Sequence, residues 1–284
     1  MRDAGLQPPN ISGPLDRALA VLRHMAGAQE ATATDIAAAA GTSRSTAYRL
    51  AERLTSWGFL QLADEPGRWM LGPEALRLGL AVLSRSQVAQ VAPELVRHLM
   101  ELTRETTGVA IPVHDSMVFV HRELGPIPSP ATTRVGTTRP MHCTAVGKAW
   151  LAGLSGPRLA KVLEYLPLRA YTPATITTAA ALGRELAVIR RRGWAVDDGE
   201  MSPSLGSCAA AVFGPDGEPV AAVSVWGPRT RITRRLERIG PVVASTAEAL
   251  TLRLGRSTDR RDPPLHVHGD DSGPATARPP VPVR

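Results

Sequence analysis

Long apolar runs, cysteine and lysine are all scarce in this chain of 284 residues. No run approaches the roughly 20 apolar residues that a membrane-spanning helix needs, so no bilayer span is expected. The first residues lack the apolar core of a secretory leader, and the expected compartment is the cytoplasm. Two cysteines, Cys143 and Cys208, make no disulfide framework and suit a reducing environment. No CxxC or HxxxH spacing occurs, and the HxH of His266 and His268 stands alone in a proline-rich tail, so no metal or other cofactor is expected. Neither a phosphate loop nor a nucleophile elbow is present, and Gly193, Gly199 and Gly206 are too far apart to form one. A binding protein is therefore preferred to an enzyme, which stays as an alternative. Lysine is confined to Lys148 and Lys161, so arginine supplies the positive charge. The net charge of +7 does not mark a nucleic-acid domain by itself, because residues 1–80 hold eight arginines and eight acids.

What is present begins with the segment 34–60, TDIAAAAGTSRSTAYRLAERLTSWGFL. It reads as two short helices about a tight turn. Thr34 is placed to cap the first, with Asp35 in its positive first turn. The run of small residues that follows allows close approach of a second helix. Gly41 suits the left-handed position that ends a helix, and Thr42 or Ser43 can cap the next. Along that second helix Ala47, Leu50, Ala51 and Leu54 recur at helical spacing and are assigned to the core. Arg44, Ser45, Tyr48 and Arg49 fall on the opposite side, in the half that enters a major groove in a helix-turn-helix. Residues 59–62 and 68–71 read as strands about the turn Asp64-Glu65-Pro66-Gly67, which makes a wing. The expected contacts to double-stranded operator DNA are Ser43, Arg44, Ser45, Thr46, Tyr48, Arg49, Arg53 and, near the wing tip, Arg68. An earlier helix with Leu15, Leu19 and Leu22 on one face completes a three-helix core. A helical hairpin with a merely solvated arginine face is the competing reading; the wing argues against it.

The chain divides into a flexible arm (1–13), the winged domain (14–72), a linker helix (73–92), a second domain (93–255) and a disordered tail (256–284). Pro73 suits the first turn of the linker helix, whose Leu76, Leu80 and Leu83 are expected to pack on a second subunit. Pro93 is read as opening the next helix, with Leu95, Leu99 and Leu102 inward. Strands are predicted over 109–114, 117–123, 207–213 and 219–226, and helices over 144–151, 157–166, 177–192 and 231–254. Helices mixed with hairpins give an α+β class with an antiparallel sheet.

Two further segments carry a resemblance. Residues 139–152, RPMHCTAVGKAWLA, and residues 192–200, RGWAVDDGE, followed by Gly206-Ser-Cys208 and AVSVWGP at 222–228, resemble the signature segments of the IclR family of bacterial transcriptional regulators. The resemblance covers residues 13–255. It implies a winged helix-turn-helix, a linker helix and a GAF-like effector domain, assembled as a homodimer or dimer of dimers. It implies a small-molecule effector, an organic acid or aromatic compound, with repression the expected sign. It also implies that Ala145 and Val146 bring backbone amides toward an anionic effector, as helix N-termini can. Asp197 or Asp198, Cys208 and Ser224 match polar pocket positions. Trp226 departs from the pattern, since smaller residues such as serine are common there, and its indole would shrink the pocket or wall it. An interaction protein of this fold that has lost DNA binding is the remaining alternative.

Overall fold

A computed structural model of the chain describes residues 11–127 and 133–255. Most of the arm and all of the tail, with His266 and His268, lie outside the described residues. The fold begins at Ser12, whose amide and hydroxyl, with the Gly13 amide, donate to the Asp16 carboxylate at 2.9–3.1 Å. That carboxylate caps α1 (Pro14–Gly27).

The first domain packs α1, α2 (Ala33–Ala40) and α3 (Arg44–Ser56) against a small sheet of β1 (Ala31–Thr32), β3 (Arg68–Leu71) and β2 (Leu60–Leu62), in that order. Thr32, not Thr34, caps α2. Its hydroxyl accepts from the Asp35 amide while the Asp35 carboxylate accepts from the Thr32 amide, a reciprocal pair only that spacing permits. Gly41 ends α2 in the left-handed region at φ 59°. Ala47, Ala51 and Leu54 are buried as expected, with Leu50 half-buried against them. The buried face of α1 differs from expectation: Val21 and Met25 are the core residues, whereas Leu15 and Leu19 are exposed. Both leucine positions satisfy helical periodicity, but the close approach of α2 selects the neighbouring stripe.

The linker is shorter than predicted. Helix α4 spans Pro73–Leu83, and α5 spans Gln87–Thr103, its first turn capped by Ser86 and Pro93 lying inside it. The stripe Val88, Ala92, Val96, Leu99 and Thr103 is buried along the whole of α5, which outweighs the hydrogen bond that Pro93 cannot donate. Leu102 faces outward. Among the residues of α4 none is buried, and Leu76, Leu78, Leu80 and Val82 are exposed.

In the second domain one antiparallel sheet runs β6 (Thr138–Pro140), β5 (Ser116–Glu123), β4 (Thr106–Val113), β9 (Pro219–Pro228), β8 (Leu205–Phe213), β7 (Ala195–Asp198). The edge strands β6 and β7 were not expected; both are too short to carry an alternation signal. Helices α5 and α10 (Leu236–Arg253) cover one face with Val109, Cys208, Ala210, Val223 and Val225. Helices α6 (Ala145–Gly153), α7 (Gly156–Tyr165) and α8 (Ala179–Arg192) cover the other with Ala110, Phe119, Ala209, Ala222 and Trp226. The final predicted helix is two, α9 (Arg229–Thr233) and α10. Their corner is tied by Glu105, fully buried, which accepts from Arg231 at 2.7 Å through both oxygens and from Arg235 at 3.0 Å.

Candidate DNA-reading surface and effector site

Helix α3 is positioned by what it buries. Ala47 and Ala51 on its buried face are small, so it lies close on α2, and its other side is left free. Ser43 caps it, accepting from the Thr46 amide at 3.3 Å. Ser43, Arg44, Ser45, Tyr48, Arg49 and Arg53 are exposed and Thr46 is half-exposed. No ion pair forms at Arg44, Arg49 or Arg53 among the described residues. Tyr48 also braces the domain, because its ring meets buried Trp69 of β3 edge-on, with centroids 5.4 Å apart. This contact ties the helix to the wing. Arg44, Ser45 and Tyr48 line a groove of about 630 Å³ with Pro66, Gly67 and Trp69. Arg68 is not free: its Nε lies 2.7 Å from the Glu65 carboxylate and 4.0 Å from that of Glu30. A phosphate would have to displace those acids.

In the second domain the first turn of α6 is the centre of a buried polar cluster. Thr144 caps α6, its Oγ1 accepting from the Gly147 amide and donating to the Pro140 carbonyl. Gly147 is required by contact, since a Cβ there would lie 2.2 Å from Met141 Cα. Ala145 through Ala152 are all buried. The amides of Ala145 and Val146 have no hydrogen-bond acceptor among the described residues, as expected for the first positions of a helix.

Sheet parity then sorts the predicted effector residues. Asp197, Ser207, Trp226 and Thr106 are in register across four strands, on the face that α6 covers. Ser224 shares that face, its hydroxyl 3.5 Å from the Gly108 carbonyl. Cys208 does not: it pairs with Val225 and joins the core under α5 and α10. Asp198 also turns away. Its carboxylate is held by Arg229 at 2.7 and 3.2 Å and by Thr233 at 2.9 Å, which keep it below the usual carboxylate range. Neither Cys208 nor Asp198 therefore belongs with Ala145 and Val146. Asp197 does: it is buried and accepts from the Glu200 and Met201 amides at 2.7 and 3.4 Å. Burial, reinforced by the Glu200 charge, pushes its pKa up to about 7. Burial also raises both thiols, that of Cys208 to about 12, so neither is a thiolate near neutral pH.

The indole of Trp226 fills the space beside Gly108, where an added Cβ would stand 3.0 Å from the ring, and Phe119 meets it edge-on at 5.2 Å. Lys148 was missed by sequence reasoning. Its ammonium is buried, bonded to Glu200 and 3.7 Å from Glu185. The available signal was a rare lysine inside a wholly apolar helix. His142, just ahead of the Thr144 cap, is also buried, with Nε2 2.9 Å from the Arg169 carbonyl. The loop that carries Arg169 is also tied to the segment after β7, Thr172 and Thr175 donating to the Gly199 and Glu200 carbonyls at 2.8 Å. Among the described residues no group of metal-ligating side chains forms a candidate metal site.

Comparison with known proteins agrees with both halves. Residues 14–64 match the family model described as the IclR helix-turn-helix domain, and residues 80–252 match that of the bacterial transcriptional regulator IclR C-terminal. The transcriptional regulator BhcR of Paracoccus denitrificans is 33% identical over 91% of this chain and 94% of its own length. The transcriptional repressor IclR of Escherichia coli is 32% identical over 85% and 89%. The crystal structure of an IclR homologue from Microbacterium hydrocarbonoxydans, complexed with 4-hydroxybenzoate, superposes with a TM-score of 0.68 at 25% identity, covering 84% of this chain and 98% of that one.

Proposed function

Because this chain belongs to the IclR family of bacterial transcriptional regulators, we propose that it is a cytoplasmic, homodimeric repressor. Its α3 enters the major groove of operator DNA, and its α6 turn receives a small anionic effector. The observation that carries the DNA half is the exposed face of α3, where Arg44, Arg49 and Arg53 are held by no acid among the described residues. With a formally neutral winged domain, affinity rests on these few placed cations and on the pairing of two heads rather than on a broad basic field. The exposed leucines of α4 support that pairing, since burying what each still exposes against a second copy would gain about 1 kcal/mol. The effector half is supported by the free amides of Ala145 and Val146, with Asp197, Ser224 and Trp226 on the facing side of the sheet. The effector must favour one relative placement of the heads, or it cannot alter DNA affinity.

The test is fluorescence anisotropy on DNA selected by the protein from a random library, with wild type and Arg44→Ala compared over a salt series. A base-reading arginine predicts a loss of about 1–3 kcal/mol at every salt concentration, a phosphate contact a shallower salt slope. An unchanged curve removes α3 as the reading helix. Turnover assays on acids that bind address the enzymatic alternative.

A further inference from the structure

A cleft of about 520 Å³ lies where the linker meets the second domain. One side of it is the corner at Arg85, Ser86, Gln87 and Val88, where α4 has ended and α5 begins. The cleft is separate from the α6 turn. Along β4, Ile111 in its wall stands five residues beyond Thr106, and along β9, Val220 stands six before Trp226. At the rise of a strand that is about 16–20 Å. Thr106 and Trp226 belong to the row that carries Asp197, at the far end of the strands. The lining sorts by chemistry. Val88, Trp150 and Leu254 are buried and Ile111 and Val220 half-buried, so the wall is apolar and anchored in the core. Trp150 Nε1 donates to the Pro219 carbonyl at 2.7 Å, which fixes the indole and leaves a ligand only its ring. Of the two arginines, Arg158 is neutralised by Glu218, 2.9 Å away. Arg85 makes no ion pair or side-chain hydrogen bond among the described residues. The corner that presents it is held, Gln90 Nε2 donating to the Ser84 carbonyl at 2.7 Å and the Ser86 amide to that of Leu83 at 3.0 Å. The Gln87 and Val88 amides, the first of α5, have no acceptor among the described residues and add donors beside Arg85.

We propose that this cleft is a second ligand site, for an amphipathic monocarboxylic acid whose carboxylate meets Arg85 and whose apolar body lies along Trp150, Val220 and Leu254. A guanidinium presents its donors as a fork that a carboxylate matches with both oxygens. The volume and the apolar lining with a few placed donors are those of a small-molecule site. The charge count selects a monoanion. With Arg158 held by Glu218, a second negative charge would find no cation of its own, and an ammonium head would be set against Arg85. Bound there, the acid spans the corner from which α4 leads to the DNA-reading head.

The test is calorimetric titration of the full-length protein with octanoate, octanol and octylammonium, which share one apolar body. Octanoate is expected to bind once per chain and roughly tenfold or more tighter than octanol, with octylammonium not binding. Arg85→Glu reverses the charge at an exposed position, and Val220→Glu sets a carboxylate in the wall. Each should weaken octanoate roughly tenfold or more, with circular dichroism checking the fold. Octanoate that does not bind, or binds no better than octanol, would overturn the inference and leave the α6 turn as the effector site. An octanoate affinity unchanged by either variant would overturn it by placing the acid elsewhere. An affinity that falls as the protein is concentrated would assign the cleft to a second copy of the chain and overturn it too.

Discussion

Replacing Asp197 by asparagine should stabilise this protein, and the gain should depend on pH. Asp197 is a carboxyl that the fold holds in an unfavourable state: 4% exposed, facing Glu200, with a pKa raised from 3.8 to about 7. A group whose folded pKa lies above its unfolded one binds more protons when folded. Stability is then greatest below about pH 3.8, falls as the pH rises toward 7 and levels off above it. A rise of about three pH units at about 1.4 kcal/mol each sets a ceiling of about 4 kcal/mol on the cost near pH 8. Asparagine keeps the oxygen that accepts from the Glu200 and Met201 amides and removes the charge. Urea unfolding of wild type and Asp197→Asn at pH 4 and pH 8 measures this directly. The two proteins should have nearly equal midpoints at pH 4, and the variant should be more stable by a few kcal/mol at pH 8. Equal midpoints at both values, or a variant less stable at pH 8, would refute the claim that burial and Glu200 strain this carboxylate. A residue retained at such cost, beside free helix amides, is what a binding site shaped for function looks like.

Other outcomes follow from the same geometry. Lys148→Met should cost about 3–5 kcal/mol at pH 7, because it leaves Glu200 charged and buried without its cation. The double variant with Glu200→Met should recover most of that loss, which a thermal-melt cycle can read. Gly147→Ala drives a methyl into the Met141 backbone and should destabilise the second domain by about 1–3 kcal/mol or more; a melting curve like wild type would mean that the turn ahead of α6 yields freely. Glu105→Gln removes the charge that holds Arg231 and Arg235 and should lower the melting temperature while leaving the DNA salt slope unchanged. Leu76→Glu with Leu80→Glu should shift sedimentation toward monomer and weaken operator binding together, whereas an unaltered oligomer would place the dimer contact elsewhere than α4.

Much of the fold was legible because its signals are local. The α3 helix follows from a cap, a three-to-four-residue apolar repeat and a terminating glycine, all within a short stretch of chain. The hairpin of β8 and β9 follows from short apolar runs on both sides of Gly214-Pro215-Asp216-Gly217, and the termination of α8 from Gly193. Local signals mislead where two of them compete. Thr32 and Thr34 are both plausible caps, and only Thr32 stands three residues ahead of Asp35. Pro93 is a favourable first residue of a helix, yet α5 begins earlier because Val88 and Ala92 continue its buried stripe.

From the order of residues alone, α3 has one face to bury and one to present, a helix starts near Thr144, and strands flank the turn at 214–217. Which face of each strand meets α6 is set by the pairing of the strands. Side-chain direction in a sheet reverses with every residue, so a choice between Asp197 and Asp198 depends on the pairing of β7 with β8 and not on composition. The same pairing carries Cys208 to the far core. Nor could the sequence join Lys148 to Glu200, 52 positions apart: a buried ion pair has no periodicity, and its partners are chosen by the packing of α6 on the sheet.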